Sequence, residues 1–359
     1  MPERTTFRLF SAPFRYIQGA GALVELAPLI AARGRRPFIV ADAATAAALR
    51  ERIEHLLGGS VDAVVFGACG ERCTASSIER LSEAARELSA DVVIGLGGRS
   101  AIDTAKGVRV ALDLPLLTAP TMAVCHAAVS RFFELHAEGD RPAETRMMSA
   151  GADAIIVDTA IIAAAPARQL IAGMGDVLAG KFELERHIAS GASTPLGCRP
   201  PLMAVAAAEE GYRTIRQHGA GALAAMVRRT PDEALERVVE AMMLLSAIAQ
   251  EQGGTSVAHL LAHRLAALPA CRTALHGELV AVALLAQLVL DGRPAEFLDD
   301  LRLFYRELGL PVRLGEIGIV ADKAAAVAAV ARQASGEIAL RIEADELAQA
   351  MLRADGADG

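Results

Sequence analysis

Hydrophobic and polar positions follow two different patterns along the chain. In the first half, short apolar runs rich in β-branched residues alternate with alanine-rich stretches in which apolar residues recur every three or four positions. The runs predict strands buried on both faces, and the spacing of three and four predicts helices. Because parallel strands need a crossover connection, this alternation indicates a parallel sheet covered by helices. The predicted strands are Phe38–Val40, Val61–Phe66, Asp91–Gly95, Leu114–Thr118 and Ala154–Val157, and the predicted helices are Ala43–Leu57 and Ser76–Ser89.

The second half of the chain has a helical pattern. From Pro166 onward the strand pattern almost disappears, and amphipathic segments rich in alanine and leucine follow one another, separated by glycine and proline. The length of 359 residues also suffices for two domains of roughly 150 residues each. We therefore predict an α/β domain over residues 1–162 and an all-helical domain over residues 163–359. The active site is expected in the cleft between them.

Composition and charge exclude several classes of protein. With 53% apolar and 22% charged residues, the chain is too hydrophobic to be disordered. Its net charge of −7 gives no basic surface for nucleic acid, so we expect no such partner. The longest apolar stretch, Leu279–Leu290, is too short for a bilayer, which needs roughly 20 residues, and predicts a buried helix. The N-terminus lacks the apolar core of a secretory signal, and five scattered cysteines fit reduced thiols, so we expect a cytoplasmic protein without a membrane partner.

A glycine-rich turn in the first half is a candidate phosphate site. The segment Asp91–Lys106 reads as a strand, a turn containing Gly97 and Gly98, and an amphipathic helix. Glycine lets the backbone approach a phosphate closely, and the free amides at a helix N-terminus attract an anion. A glycine cluster after a strand can also be a tight turn and nothing more. The arrangement is compatible with a Rossmann-like dinucleotide-binding domain.

Two further residues fit a dinucleotide. Asp42 follows the predicted strand Phe38–Val40, where a carboxylate can accept hydrogen bonds from a ribose 2′-OH and repel the additional phosphate of NADP. The same side chain can cap the N-terminus of the next helix, and the two roles are compatible. Thr121 ends a later strand and can lie on the nicotinamide side. We therefore expect NAD as the cofactor.

Three residues of the second half form a candidate metal site. Asp176 lies in the sequence GMGD, His259 and His263 share one face of the predicted helix Ser256–Leu265, and His276 opens the helix of HGELVAVALL. One carboxylate and two imidazoles with a vacant fourth position are typical of a catalytic zinc or a similar divalent metal. Any single histidine is more often a surface or core residue, and five of the eight are left in that class: His55, His136, His187, His218 and His263.

At these residues the chain resembles the glycerol dehydrogenases, which belong to the iron-containing, or group III, alcohol dehydrogenases. The resemblance covers nearly the whole chain, and the 17-residue spacing between His259 and His276 agrees with it. The similar motifs are RYIQGAGAL at Arg15–Leu23, GLGGRSAIDTAK at Gly95–Lys106, AGMGD at Ala172–Asp176, and AH and HGE around the two histidines.

The resemblance implies a fold, a reaction and a set of site residues. The fold would be that of group III alcohol dehydrogenases and dehydroquinate synthase, with an NAD-binding α/β domain and a helical metal-binding domain. The reaction would be hydride transfer between NAD and the hydroxyl-bearing carbon of a small alcohol, with the metal stabilising the alkoxide. Asp176, His259 and His276 would be the catalytic metal ligands, and His263 a neighbour on the helix face. Zinc is expected rather than iron, in a homo-oligomer whose size the sequence leaves open.

The glycine turn departs from the family pattern. Arg99 stands in place of a third glycine, and Ser100 stands in place of a lysine. Arg99 can replace the lost contact as a phosphate ligand, or it can obstruct the dinucleotide. We favour the phosphate ligand, because Asp103 and Lys106 remain as in the family. The predicted cofactor-binding residues are Asp42, Gly97, Gly98, Arg99, Ser100, Asp103, Thr121 and Ser130.

The substrate residues depart further from the family. The family's polyol-binding aspartate is replaced by His126, and the pattern's tyrosine falls at His136. With Arg131 and Arg146 nearby in sequence, the substrate end becomes more basic than a triol requires. We predict that His126 and Arg131 bind an anionic group of the substrate, such as a hydroxy acid, a 2-oxo acid or a phosphorylated alcohol. Alternatively, both arginines point to solvent, as most arginines do.

Two other classes of function stay open. A lyase similar to the sugar-phosphate cyclases would share the fold and the metal but would use NAD only transiently, without net NADH production. A degenerate, non-catalytic paralogue would keep the metal site but would have lost dinucleotide binding through Arg99 and Ser100. NADH binding and net NADH production distinguish these alternatives from a dehydrogenase.

Overall fold

The computed structural model describes residues 7–11, 15–137, 144–335 and 342–356. The chain divides into two compact units. The sheet unit comprises Ala12–Ala165 and Arg228–Leu244, and the helical unit comprises Met1–Ser11, Pro166–Val227 and Leu245–Gly359. The predicted boundary lies between residues 162 and 163, with residues 228–244 in the helical half. In the structure, residues 228–244 pack with the sheet unit.

The strands all belong to the sheet unit within the described residues. They are β1 (Tyr16–Gly19), β2 (Pro37–Ala41), β3 (Val65–Ala68), β4 (Val92–Gly97), β5 (Leu116–Pro120), β6 (Phe132–Leu135), β7 (Glu144–Met147) and β8 (Ala154–Asp158). Six of them form one sheet in the order β1-β8-β5-β4-β2-β3, with every neighbouring pair parallel. The other two, β6 and β7, form an antiparallel hairpin. The predicted α/β fold with a parallel sheet is thereby confirmed.

The helices alternate with strands in the sheet unit and make up most of the helical unit. They are α1 (Leu26–Ala31), α2 (Ala43–Leu57), α3 (Ala75–Glu87), α4 (Arg99–Leu112), α5 (Thr159–Ala163), α6 (Ala167–Ser190), α7 (Leu202–Arg228), α8 (Glu233–Glu240), α9 (Ser246–Gly253), α10 (Val257–Ala266), α11 (His276–Leu290), α12 (Ala295–Leu308), α13 (Lys323–Ser335) and α14 (Ala344–Ala354). Shorter 3-10 and π-helical turns connect several of them.

The buried strands agree with the apolar runs of the sequence. Every residue of β2, β4, β5 and β8 is buried, as expected for strands covered on both faces. The predicted strand at Val61–Phe66 is displaced, because the parallel register with β2 pairs Phe38 with Val65. Before β3 begins, the backbone N–H of Asp62 donates to the carbonyl of Arg35 instead.

The order of the strands creates a point of reversal in the sheet. From β2 the chain moves outward to β3, then returns past β2 to β4 and continues in the opposite direction to β5 and β8. Ligands of open parallel sheets bind beyond the carboxyl ends of the strands at such a reversal. Here those ends are followed by Asp42 after β2 and by Gly98 after β4.

In the helical unit, α11 lies at the centre. It packs against α6, α10 and α14, and all of its residues from Leu279 to Leu288 are buried. A helix that is apolar on every side can be stable in water only when other helices surround it. The predicted buried helix at Leu279–Leu290 is therefore confirmed.

The segment Arg228–Leu244 contributes α8 to the sheet unit. There, α8 packs against α5 and β1. Its residue Glu236 accepts hydrogen bonds from Gln18 Nε2 at 2.9 Å and from Thr159 Oγ1 at 2.5 Å. These bonds connect α8 to residues near the beginning and near the end of the segment Ala12–Ala165.

Among the described helices, none combines the length and the apolar character that a membrane crossing requires. The cytoplasmic location and the homo-oligomeric state stay predictions of the sequence.

Candidate functional site

Three helices bring the predicted metal ligands together. Asp176 lies on α6, His259 in the first turn of α10 and His276 at the first position of α11. One ligand atom from each of the three side chains lies within 4.8 Å of the other two. Asp176 and His259 are buried and His276 is half-buried, and Asp176 Oδ1 lies 2.9 Å from His259 Nε2. The group therefore presents one carboxylate and two imidazoles at a single point, a donor set that suits zinc or ferrous iron.

A second carboxylate, not found by the sequence analysis, fixes the orientation of His259. Glu183 lies seven residues after Asp176 on α6, two helical turns away on the same face, and is fully buried. Its Oε2 lies 2.5 Å from His259 Nδ1, and its Oε1 accepts the backbone N–H groups of His259 and Ser256, both at 2.9 Å. Because Nδ1 is held by this carboxylate, Nε2 is the nitrogen that points toward Asp176.

The same two carboxylates control the charge of His259. Burial by itself would lower the pKa of this imidazole, but Glu183 first and Asp176 next raise the pKa to about 10. A divalent cation at this point therefore competes with a proton for Nε2. The two carboxylates therefore favour a positive charge at this point, whether a proton or a metal cation supplies it.

Asp176 is held by an amide that the sequence analysis also missed. Gln250, on α9, is buried, and its Nε2 donates to Asp176 Oδ1 at 3.2 Å and to Ser246 Oγ at 3.2 Å. This bond fixes one oxygen of the carboxylate without adding charge.

The motif around His276 has a physical explanation in the packing of α11 against α6. A Cβ on Gly277 would lie 1.7 Å from the carbonyl oxygen of Ala172, and a Cβ on Gly175 would lie 2.6 Å from the carbonyl oxygen of Gly277. Only glycine at both positions allows the two backbones to approach this closely. This approach places the first residue of α11, His276, beside Asp176.

The glutamate of the same motif fixes the start of α11. Glu278 Oε2 accepts the backbone N–H of Leu275 at 2.8 Å, and Oε1 accepts Arg168 Nε of α6 at 2.7 Å. The first bond satisfies an amide that precedes the helix, and the second joins the two helices. Gly277 and Glu278 of the sequence His-Gly-Glu therefore position α11 in two different ways.

His263 lies next to the triad and is exposed. Its ring centroid is 5.7 Å from that of His276 and 6.3 Å from that of His259. It thus occupies the position of a neighbour on the face of α10.

In the sheet unit, the glycine turn has the geometry that its sequence predicts. Gly97 has a φ of 141°, and Gly98 precedes the first residue of α4 without a side-chain cap. A Cβ on Gly97 would lie 3.0 Å from Asp42 Oδ2 and 3.1 Å from the Cβ of Ala101. The turn and Asp42 are therefore adjacent, and the first amides of α4 are free of any capping side chain.

Asp42 caps α2, as one of its two predicted roles requires. Its Oδ1 accepts the backbone N–H of Thr45 at 2.9 Å, and its Oδ2 accepts the hydroxyl of Thr45 at 2.7 Å. A carboxylate has further lone pairs for a ribose hydroxyl, so the cap leaves room for a second acceptor role.

Arg99 and Asp103 are part of a charged network on α4. The Arg99 guanidinium contacts Glu134 of β6 at 3.1 Å and Asp103, one turn later on α4, at 3.4 Å. The buried Asp103 also pairs with Lys106 at 3.4 Å and accepts the backbone N–H of Glu134 at 3.3 Å. The Arg99 guanidinium is therefore held by two carboxylates, those of Asp103 and Glu134.

The remaining predicted cofactor residues are Ser100, Thr121 and Ser130. Ser100 Oγ donates to the carbonyl of Gly70 at 2.8 Å, and the backbone N–H of Thr121 donates to the carbonyl of Gly97 at 3.1 Å. Ser130 is buried, and its Oγ accepts the backbone N–H of Phe132 at 3.1 Å. Thr121 is thus joined directly to the glycine turn, whereas Ser130 shapes the segment that leads into β6.

The four basic residues near the predicted substrate end differ in their surroundings. Arg131 is only 9% exposed, so it does not point to solvent, and His126 is half-buried in a short 3-10 turn that packs on α4 and β5. Arg146 is exposed on β7 and pairs with Glu144 at 3.2 Å. His136 Nε2 lies 3.6 Å from the carboxylate of Glu134. Of these four residues, Arg131 is buried, His126 and His136 are half-buried, and Arg146 is exposed.

Comparisons with known proteins identify relatives of the chain. Residues 13–162 match the model of a family described as iron-containing alcohol dehydrogenase. A glycolaldehyde reductase from Halobacterium salinarum is 35% identical, over 92% of this chain and 90% of that protein. A glycerol dehydrogenase from Thermotoga maritima is 36% identical, over 86% of this chain and 84% of that protein. The solved structure of a probable glycerol dehydrogenase from Sinorhizobium meliloti 1021 has a TM-score of 0.90 and 32% identity, and covers 98% of this chain and 99% of that chain.

The role of Glu183 can be tested by removing its charge without changing its shape. We expect Glu183→Gln to weaken zinc binding by about 10- to 100-fold, because His259 loses the carboxylate that holds Nδ1. The measurement is competition for zinc with a chelator of known affinity. The matched control is Glu185→Gln on the same helix, where the carboxylate lies at the surface and pairs with Lys181 and Arg293. Equal zinc affinities of the two variants would contradict the assignment.

Proposed function

Because the chain belongs to the family of iron-containing alcohol dehydrogenases, whose members are metal-dependent and NAD-dependent oxidoreductases, we propose that it transfers a hydride between NAD and the hydroxyl-bearing carbon of a small alcohol. The observation that supports this proposal most strongly is the convergence of Asp176, His259 and His276 from three helices. The relatives favour this activity over that of a sugar-phosphate cyclase.

We propose that Asp176, His259 and His276 hold the metal. The donor set fits a divalent cation, since one carboxylate and two imidazoles lie close together and two of the three are buried. When bound, such a cation supplies the charge that favours the alkoxide form of the substrate, from which hydride passes to NAD. We favour zinc over iron from the resemblance to glycerol dehydrogenases, since the ligand set accepts both metals.

The protein residues around the triad keep the ligands in place. Glu183 holds His259 through Nδ1 and the backbone N–H, so that Nε2 faces Asp176. Gln250 holds one oxygen of Asp176. His276 is positioned through the backbone, because Gly277 allows α11 to begin against α6. The ligands are therefore preorganised, and little conformational entropy is lost when a cation binds.

We propose that NAD binds at the carboxyl ends of β2 and β4. The N-terminal amides of α4 suit the pyrophosphate, and Asp42 suits the ribose hydroxyls, while its charge opposes the additional phosphate of NADP. Arg99, whose side chain is 41% exposed, lies next to Gly98 and adds a guanidinium contact to a phosphate oxygen. Asp103 orients Arg99 through their ion pair. Ser100, Thr121 and Ser130 shape the surrounding loops.

We further propose that the substrate carries an anionic group. The two relatives described above are named for glycolaldehyde and glycerol, which are neutral. This chain places His126 where the family has a polyol-binding aspartate, and it keeps Arg131 buried nearby in sequence. A guanidinium carries five N–H donors in a planar fork, and a carboxylate or phosphate of the substrate matches that fork.

The activity is tested with the zinc-loaded protein, NAD, and a panel of polyols, hydroxy acids and phosphorylated alcohols. We expect net production of NADH with at least one of them. Asp176→Asn should lower kcat/KM by more than about 100-fold, because a metal ligand is lost, and should leave NADH binding within about twofold. A product formed without net NADH would indicate the lyase. Absence of NADH binding to the wild-type protein would indicate the non-catalytic paralogue.

The cofactor preference is tested with Asp42→Asn. The amide keeps the helix cap on Thr45 and removes the charge, so we expect NADPH affinity to rise by about tenfold with little loss of stability. The measurement is a fluorescence titration with NADH and NADPH. Asp232→Asn, at the equivalent cap of α8, should change neither affinity. Unchanged NADPH binding in the Asp42 variant would place the ribose elsewhere.

The substrate charge is tested by restoring the acid of the family. We expect His126→Asp to raise the ratio of kcat/KM for glycerol over glycerate by about tenfold, because the carboxylate repels the anion and accepts polyol hydroxyls. His136→Asp serves as control, since that imidazole already faces Glu134. Equal turnover of glycerol and of hydroxy acids by the wild-type protein would remove the basis of this proposal.

A further inference from the structure

A cavity of about 420 Å³ in the helical unit is lined by four arginines. Arg302 and Arg306 come from α12, Arg313 from the segment that follows it, and Arg353 from the last turn of α14. None of these residues belongs to the metal ligands or to the proposed cofactor and substrate residues. The cavity is therefore a separate feature, which the oxidoreductase activity does not explain.

The acidic residues of the cavity are already engaged elsewhere. Asp299 pairs with Arg302 at 3.1 Å. Asp355 is buried, pairs with Lys323 at 2.6 Å and accepts the backbone N–H of Leu314 at 2.7 Å. Neither carboxylate is thus left to balance the other arginines of the cavity.

Three of the four guanidinium groups have no ion pair with any described residue. Within the described ranges, Arg306, Arg313 and Arg353 make no salt bridge to any carboxylate. Arg302, in contrast, is fixed, since its second guanidinium nitrogen donates to the carbonyl of Ala354 at 2.9 Å. Like charges that share a concave surface repel one another and raise the local positive potential. An anion that binds between the guanidinium groups reduces this repulsion.

We infer that this cavity binds a small molecule that carries a phosphate or pyrophosphate group. The planar fork of each guanidinium matches two phosphate oxygens, and several forks around one cavity suit a multiply charged anion. A volume of 420 Å³ is well above that of a single water, about 30 Å³, and falls in the usual range of small-molecule sites. The cavity therefore has room for more than one phosphate group or for an organic part of the ligand.

Calorimetric titration with inorganic pyrophosphate tests the inference. The full chain is used, with saturating NADH so that the β4–α4 turn is occupied. We expect one saturable site in the wild-type protein. The double variant Arg306→Gln/Arg353→Gln should weaken it by at least about tenfold, because two charge-assisted contacts are lost. The double variant Arg306→Lys/Arg353→Lys should lose less, since the charge remains.

The matched control is Arg272→Gln/Arg332→Gln. These two arginines are exposed in the same unit and make no ion pair within the described part of the chain. Their replacement should leave pyrophosphate binding unchanged, and thermal unfolding should show that every variant is folded. The inference fails if the wild-type protein does not bind pyrophosphate, or if the control weakens binding equally. It also fails if Arg99→Gln abolishes binding while the Arg306/Arg353 variant retains it, because the anion would then occupy the cofactor turn.

Discussion

The contact between Glu183 and His259 is the interaction on which the proposed metal centre depends. A fully buried carboxylate is tolerated only when its oxygens are bonded, and here they accept two backbone amides and one imidazole nitrogen. These bonds connect α6 to the start of α10 and at the same time determine which nitrogen of His259 faces Asp176. Packing and chemistry are therefore decided by the same group, and a change at Glu183 affects both.

Close approach of two backbone segments positions His276 in the helical unit and the glycine turn in the sheet unit. In the helical unit, Gly277 and Gly175 allow α11 to begin against α6, which brings His276 to the acid. In the sheet unit, Gly97 leaves β4 with a positive φ beside Asp42. In both places the missing side chain determines where a functional one can lie. A sequence pattern of glycines near an acid thus reflects the distance between two elements as well as a flexible turn.

The elements with strong local patterns could be predicted from the sequence, and those that depend on tertiary contacts could not. Helix α2 begins at Ala43 as predicted, because Asp42 is a local cap, and β2, β4, β5 and β8 are recognisable as uninterrupted apolar runs. The short strand β1 and the hairpin of β6 and β7 lack such runs. Residues Glu183 and Gln250 were missed because their role exists only when three helices meet, although the seven-residue spacing from Asp176 to Glu183 was a visible signal. Burial of Arg131 likewise follows from packing, not from its neighbours in sequence.

The return of the chain to the sheet unit at Arg228–Leu244 affects how the protein can be synthesised. The carboxylate of Glu236 accepts hydrogen bonds from Gln18 and Thr159. The segment Ala12–Ala165 therefore completes its contacts only after α8 has been synthesised, some 70 residues after that segment ends. On the ribosome, this unit cannot be completed before residue 244 has left the exit tunnel, by which time Pro166–Val227 of the helical unit has also emerged. A fragment that stops at Ala165 would expose β1 and α5 where α8 normally packs. The two units are thus distinct in structure but are interleaved in the order of their synthesis.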